Sequence, residues 1–230
     1  MVDGMRYFTP RLFKFLSDLE VNNEREWFKA NQAVYEAHVR EPALRFIADV
    51  AKPLGRISPH FVADPSKVGG SLFRIQRDTR FGEDKTPYKT NTGMHFRHEA
   101  AKDVHAPGFY LHIEPGGCFM GVGLWRPHTP VAYAIRGHID ENRAAWKRAA
   151  HSARFKDVFD VEGESLVRPP KGFPEDHPLI EDLKRKDFIA TARLTQKTIT
   201  SDTLMDEFAG NCKRASAYMK FLCDAVGVPF

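Results

Sequence analysis

A glycine-centred turn between two alternating runs, in the segment Phe109–Trp125, constrains the fold of this 230-residue chain more than any other feature. Pro115–Gly117 supplies the residue types of a tight turn, so the segment predicts a β-hairpin. If Gly116-Gly117 forms a two-residue loop, Leu111 faces Val122 across the two strands. A four-residue loop would change the partners, but it would leave each side chain on the same face of the sheet.

The alternation of the hairpin divides its side chains between an apolar face and a polar face. Leu72–Gln76 and Thr92–Arg97 alternate in the same way and predict two more strands, with Phe73 and Ile75 on the buried side. Phe188–Thr195 is interpreted as a further strand. The polar face of the hairpin is predicted to carry Tyr110, His112 and Glu114 beside Gly121 and Gly123.

Apolar residues at helical spacing predict helices toward both ends of the chain. Thr9-Pro10 indicates a first helix that ends near Glu20, and Asn23 with Glu26 resembles the capping box of a second helix. A third helix is predicted to begin at Thr129-Pro130, and a single last helix is predicted to be capped among residues 200–202 and to end at Gly227 and Pro229. The proline-rich connection Gly163–Pro178 is expected to be irregular, either a surface loop or a lid.

These elements predict an α+β fold, in which a mainly antiparallel sheet has helices packed on one face and an open polar face that carries the candidate site. Length and composition favour one domain over residues 1–230. No run of eighteen apolar residues exists, and the N-terminus lacks the apolar run of an export signal, so we expect a cytoplasmic protein without a membrane partner. Cys118, Cys212 and Cys223 form no metal-type pair and are interpreted as core thiols.

The chemistry concentrates in the segment Arg74–Lys89, here called the charged turn, where five cations meet three carboxylates. Guanidinium groups bind phosphate or carboxylate oxygens in pairs, and lysines add point charges. The net charge of +4 also favours anionic partners. The predicted ligand-binding residues are Arg74, Arg77, Asp78, Arg80, Lys85, Tyr88, Lys89, Tyr110, His112, Glu114, Gly121 and Gly123. The alternative is a solvated turn whose ions pair with one another.

The site prediction depends on position, because Arg74 and Gln76 are expected to share the polar face with the residues of the hairpin. Gly121 and Gly123 would leave an open floor there, for a ligand or for a neighbouring side chain. His112-x-Glu114 has the residue types of a metal site, but a hydrogen-bonded pair explains it as well, so no metal is predicted. Cys118 is placed on the apolar face and is discounted as a nucleophile. No catalytic residue and no cofactor follows from these residues.

Several motifs together resemble domain-of-unknown-function family 2461. They are Asn22-Asn23-x-Arg25-Glu26-Trp27-Phe28, Arg74-Ile75-x-Arg77-Asp78-Thr79-Arg80-Phe81, Asp84-Lys85-x-Pro87-Tyr88-Lys89, Tyr110–Pro115, Gly121-x-Gly123-x-Trp125-x-Pro127, Ile135-Arg136 and Pro170–Phe173. The resemblance covers nearly the whole chain, and Gly82 is a slight departure from it. It implies one domain with a shared motif set, and it implies no reaction or substrate.

Three functions are therefore compatible with the sequence. The first is the binding, with or without turnover, of a small phosphate- or carboxylate-bearing ligand in a basic pocket on the sheet. The second is a non-catalytic interaction module, in which Trp27, Phe28 and the charged turn contact another protein. The third is nucleic-acid binding with Tyr88 or Tyr110 stacked on bases. The sequence contains no continuous basic stripe and no recognised motif that would support it. An oligomeric state does not follow from the residues.

Overall fold

The fold centres on one antiparallel sheet. The computed structural model describes residues 5–80, 83–100 and 107–230, so Phe81 and Gly82 of the charged turn and the N-terminal residues 1–4 lie outside the described residues. Within these ranges five strands pair in the order β1-β2-β3-β5-β4. The strands are β1 (Thr92–Arg97), β2 (Gly108–Ile113), β3 (Phe119–Leu124), β4 (Asp160–Glu162) and β5 (Phe188–Arg193). The predicted α+β class is confirmed.

The hairpin joins β2 to β3 through a turn at residues 114–117. Leu111 pairs with Met120 and Tyr110 pairs with Gly121, two residues away from the register of a two-residue loop. The Gly117 N–H donates to the carbonyl oxygen of Glu114 at 3.1 Å and closes the turn. The two-residue register is therefore wrong, whereas the predicted division of side chains between the two faces is confirmed.

The N-terminal helices are shorter and more broken than the periodicity predicts. They are α1 (Pro10–Val21), α2 (Arg25–Ala30), α3 (Gln32–Tyr35), a π-helical turn (Glu36–Arg40) and α4 (Glu41–Gly55). The first helix is confirmed. The capping box is wrong, because α2 begins after Glu24 and has no side-chain cap. The side chain of Asn23 bonds instead to Tyr88, 65 positions away.

The remaining helices follow the sheet strands or close the chain. They are α5 (Thr129–Glu141), α6 (Arg143–Ala150), α7 (Ala153–Lys156), α8 (Ile180–Leu183), α9 (Gln196–Ile199), α10 (Leu204–Arg214) and α11 (Ser216–Ala225). The single last helix predicted between its cap at residues 200–202 and Gly227 is thus divided at Ala215. The connection between β4 and α8 is irregular up to Leu179, as its prolines predict.

The core lies between the sheet and the helices. Phe208 of α10 is its centre, with its ring 5.5 Å from that of Phe96 on β1 and 5.6 Å from that of Phe46 on α4. Contacts of this kind bury aromatic area and add edge-to-face attraction. Cys118, Cys212 and Cys223 are all buried free thiols, as expected. Because helices cover this face, the other face of the sheet, here called the open face, is the one available to a site.

The segment 71–76 does not form the predicted strand. Leu72 makes an isolated bridge with Met94 of β1, and Gln76 makes another with Tyr88. The Phe73 N–H donates to the Gly93 carbonyl oxygen at 2.9 Å, so the chain follows the edge of β1 only briefly. This pairing turns Phe73 toward the open face, where its ring lies 5.8 Å from that of Tyr110. The prediction that Phe73 lies on the buried side is therefore wrong.

The helices of the described ranges are too short or too polar to cross a membrane.

Candidate functional site

The open face presents its side chains in rows across the strands. In the central row His95 of β1 pairs with Tyr110 of β2, which pairs with Gly121 of β3, which pairs with Thr191 of β5. Because cross-strand neighbours on one face lie about 5 Å apart, this row is nearly continuous. Gly121 interrupts it, since glycine has no side chain to fill its position.

A cavity of about 400 Å³ lies over this interruption, and it is here called the open-face cavity. Its size is within the range of about 300–1,000 Å³ found for small-molecule sites. Besides the imidazole of His112, four aromatic side chains, a second imidazole and the bare Gly121 contribute to its lining. These residues are Phe73, Tyr110, Phe119, Trp125, His95 and Gly121.

A chain of hydrogen bonds runs along β2 at the wall of the cavity. The hydroxyl of Tyr110 lies 3.0 Å from Nδ1 of His112, and Nε2 of His112 lies 3.1 Å from a carboxylate oxygen of Glu114. The i, i+2 spacing puts all three side chains on one face, and the His112 ring is stacked on Phe119 at 4.6 Å. The predicted hydrogen-bonded His112/Glu114 pair is confirmed.

The chemistry of the partners assigns the protons in this chain. An ionised carboxylate only accepts hydrogen bonds, so the His112 tautomer with its proton on Nε2, and with Nδ1 accepting from the Tyr110 hydroxyl, is the one that satisfies both bonds. Burial, aided by the charge of Glu114, raises the pKa of Tyr110. The phenol is therefore protonated at neutral pH, and the lone pairs of its oxygen can accept a hydrogen bond from a ligand.

His95 is the second imidazole of the cavity, and it is 8% exposed. Burial, with a smaller contribution from Arg97, lowers the pKa of His95 from 6.5 to about 4. Its Nδ1 is buried and has no hydrogen-bond partner among the residues that the structure describes. His95 is thus a neutral polar group in an apolar setting, packed edge-on against Phe73 and Tyr110.

The two glycines of β3 have different roles. A Cβ on Gly121 would meet Tyr110 and Phe119 at 3.7–3.8 Å, which is ordinary contact, so the space above it is open. Gly123 has φ 115° and a Cβ there would lie 2.1 Å from the Phe188 carbonyl oxygen. Gly121 alone supplies the predicted open floor, whereas Gly123 allows β3 to approach β5 with a backbone that favours glycine.

The cations of the charged turn do not line the open-face cavity. Arg77 pairs with Asp84 at 2.8 Å and Arg80 pairs with Asp78 at 2.7 Å. Hydrogen bonds from Arg80 lower the pKa of Asp78, which keeps that carboxylate ionised. The two lysines, Lys85 and Lys89, donate to the carbonyl oxygens of Thr79 and Arg74 at 2.9 and 3.1 Å.

The single hollow that the sequence predicts is therefore divided into separate regions. Tyr110, His112 and Gly121 line the open-face cavity, and Glu114 lies behind His112. Arg74 and Gln76, expected on the same face, line a second cavity on the other side of Phe73. The reason is the brief pairing of segment 71–76 with β1, which places Phe73 where Arg74 was expected.

Tyr88 and the aromatic residues of α2 lie inside the molecule. The Tyr88 ring is stacked on Phe28 at 4.1 Å, and both are buried. Trp27 is half-buried, 5.8 Å from the ring of Phe15. The sequence predicts Trp27 and Phe28 as contacts to another protein and Tyr88 as a platform for bases. In this structure Phe28 and Tyr88 are buried in the core, and Trp27 is only partly exposed.

Several lining residues are not among the predicted ligand-binding residues, notably Phe73, His95 and Trp125. Trp125 follows the glycine-containing strand and is 48% exposed, an unusual exposure for a tryptophan. The available signal for it was a large aromatic residue two positions after Gly123. No group of three or more metal-ligating side chains occurs in the described ranges.

Fold and site together define an α+β protein whose open antiparallel sheet carries an aromatic cavity beside a tyrosine–histidine–glutamate chain. A family model described as Conserved hypothetical protein (DUF2461) matches residues 11–221, so the chain belongs to this family. Searches of curated proteins and of solved structures found no significant match. The family description assigns no activity, and the function is inferred from the site.

Proposed function

We propose that this protein binds a small, planar, uncharged organic molecule in the open-face cavity. The observation that carries the proposal is the combination of an aromatic lining, a floor left open at Gly121, and a polar lining residue, Tyr110, whose hydroxyl bonds to His112. Apolar cavities with a few placed polar groups are the usual form of small-molecule sites.

The charges around the cavity favour an uncharged ligand. Among the described lining residues there is no lysine or arginine, and the one carboxylate is that of Glu162. His95 is neutral because burial lowers its pKa to about 4. An anion would lose its hydration there without gaining a cation, which is costly in an apolar site.

The hydrogen-bond chain determines which polar group the ligand presents. Since Tyr110 donates its proton to His112, its oxygen is left as an acceptor. A ligand with an N–H or O–H on an aromatic ring would satisfy that acceptor while its ring packs among Phe73, Phe119 and Trp125. Aromatic pairs of this kind contribute about 0.5–1.5 kcal/mol beyond the burial of their area.

Isothermal titration calorimetry with indole and 2-naphthol tests the proposal. Wild type is expected to bind both, and Gly121→Leu is expected to bind neither, because the leucine side chain would fill the cavity. Gly137→Ala, at a helical glycine with nothing within 4 Å, is the matched control and is expected to bind like wild type. Equal affinity of wild type and a folded Gly121→Leu variant, or no binding by wild type, would show the proposal to be wrong.

A further inference from the structure

A second cavity, here called the basic groove, lies between the N-terminal helices and the segment 67–76. It measures about 580 Å³, and Phe73 lines both it and the open-face cavity. Its floor is apolar, since Phe28, Tyr35 and Ile75 are buried there. The groove therefore offers area for an apolar body as well as a polar rim.

The rim is strongly positive. The described lining residues include four cations, Arg40, Lys67, Arg74 and Arg97, and one carboxylate, that of Glu36. Glu36 is already paired with Arg40 at 2.7 Å. The charge that remains around the groove is positive and favours an anion, most strongly one with two negative charges.

Several donors on this rim are unused by the protein. The Arg74 guanidinium and the Lys67 ammonium make no hydrogen bond or ion pair in the described part of the chain, and both side chains are exposed. The amides of Gln32 and Gln76, on opposite walls, have no described partner either. This distinguishes Arg74 from Arg77, which is paired within the charged turn.

The loop that presents Lys67 is held in place before any ligand binds. The Ser71 N–H donates to the Asp64 carbonyl oxygen at 2.8 Å, and the Ser71 hydroxyl accepts from the Asp64 N–H at 3.0 Å. Gly70 sits so close to the loop that a Cβ would lie 2.5 Å from the Ser66 carbonyl oxygen. Such pre-organisation reduces the entropy that a bound ligand must offset.

The facing wall is the π-helical turn Glu36–Arg40, and it is tied to the same loop. A guanidinium nitrogen of Arg40 lies 3.5 Å from the Lys67 carbonyl oxygen, within reach of a weak hydrogen bond. π-Helical turns are rare and occur often at functional sites. Both walls of the groove are thus connected through Arg40.

We infer that the basic groove binds a phosphate monoester of an apolar or aromatic alcohol. The phosphate would lie against Arg74 and Lys67, because a guanidinium binds phosphate oxygens in pairs and an ammonium adds charge. The apolar body would cover Tyr35, Leu72 and Ile75. This site is independent of the open-face cavity, whose lining holds no described lysine or arginine.

Calorimetric titration of the full chain with phenyl phosphate, benzoate, benzyl alcohol and inorganic phosphate tests the inference. Phenyl phosphate is expected to bind most tightly, since only it combines two charges with a ring. Arg74→Gln and Lys67→Gln are each expected to weaken phenyl phosphate binding by about tenfold, the order expected for one charged hydrogen-bonding group. Arg154→Gln, an exposed arginine of α7 outside the groove, is the matched control and is expected to bind like wild type.

The outcomes separate this site from the proposed function. Gly121→Leu is expected to lose indole binding and to retain phenyl phosphate binding, whereas Arg74→Gln is expected to do the reverse. Benzyl alcohol or inorganic phosphate binding as tightly as phenyl phosphate would contradict the inference. So would a folded Arg74→Gln variant that binds phenyl phosphate as wild type does, or a loss of that binding in Gly121→Leu alone.

Discussion

The side-chain amide of Asn23 pairs with the backbone of Tyr88 in both directions. Its oxygen accepts a hydrogen bond from the Tyr88 N–H at 3.0 Å, and its nitrogen donates to the Tyr88 carbonyl oxygen at 3.0 Å. The Lys89 N–H, next along the chain, donates to the Ile75 carbonyl oxygen at 2.8 Å. The Asn23 side chain thus bonds to the Tyr88 backbone as a neighbouring strand would, and it joins the start of α2 to the charged turn.

Replacing Asn23 with alanine is expected to destabilise the protein by about 1–3 kcal/mol, because the Tyr88 N–H would lose its partner and the Tyr88 carbonyl oxygen would keep only a long bond from Arg77 at 3.5 Å. Urea denaturation measures this change in the free energy of unfolding. Asn22→Ala is the control, since Asn22 is exposed and its side chain bonds only within its own helix end, to the Asp18 carbonyl oxygen. A pair of variants with the same midpoint would contradict a structural role for the Asn23–Tyr88 pair.

The two glycines of β3 form a matched pair for a second prediction. Gly123→Ala is expected to cost about 2–4 kcal/mol, because it combines a backbone at φ 115° with a Cβ 2.1 Å from the Phe188 carbonyl oxygen. Gly121→Ala is expected to change stability by less than about 1 kcal/mol, since its Cβ has room at 3.7 Å. Thermal melting of both variants compares them, and the opposite order of stability would be inconsistent with this assignment.

Alternation predicted the faces of the hairpin correctly, because the side-chain period of two is independent of the loop length. It could not determine the register, since a two-residue and a four-residue loop both accommodate Gly116-Gly117. The register depends on the backbone hydrogen bond from the Gly117 N–H to the Glu114 carbonyl oxygen, and no side chain in the sequence indicates that bond.

In the candidate site, hydrophobicity did not assign the side chains of segment 71–76 to the correct face of the sheet. Phe73 and Ile75 have the same parity and similar hydrophobicity, yet Ile75 lies in the core and Phe73 lines a cavity on the opposite face. Hydrophobicity alone does not distinguish a core from an apolar cavity, so Arg74 was assigned to the wrong side. The positions of His112 and Gly121 were predictable because both residues lie within the hairpin. The positions of the cations, in contrast, depend on a short contact of segment 71–76 with the edge of β1.

His95 predicts a pH dependence of stability. Its pKa is about 4 in the folded protein and near 6.5 when unfolded, so between these values the unfolded chain binds a proton that the folded chain does not. Stability is therefore lost as the pH falls from about 6.5 to 4, by up to roughly 3 kcal/mol from this residue. Urea denaturation at several pH values is expected to show a shallower decline for His95→Gln than for wild type. Parallel pH profiles would contradict the prediction that His95 remains neutral in the fold.

Tyr110 makes the last prediction, which concerns ligand selectivity in the open-face cavity. Its oxygen accepts from a ligand because its proton is donated to His112 at 3.0 Å, so indole is expected to bind about two- to tenfold more tightly than 1-methylindole, which lacks the N–H. Tyr110→Phe keeps the ring but removes the oxygen, and it is expected to bind the two compounds equally. Calorimetric titration of both compounds against both proteins measures this coupling directly. If the preference for indole persisted in Tyr110→Phe, the acceptor in the cavity would have to be another group, and the Tyr110–His112–Glu114 chain would serve the structure of β2 alone.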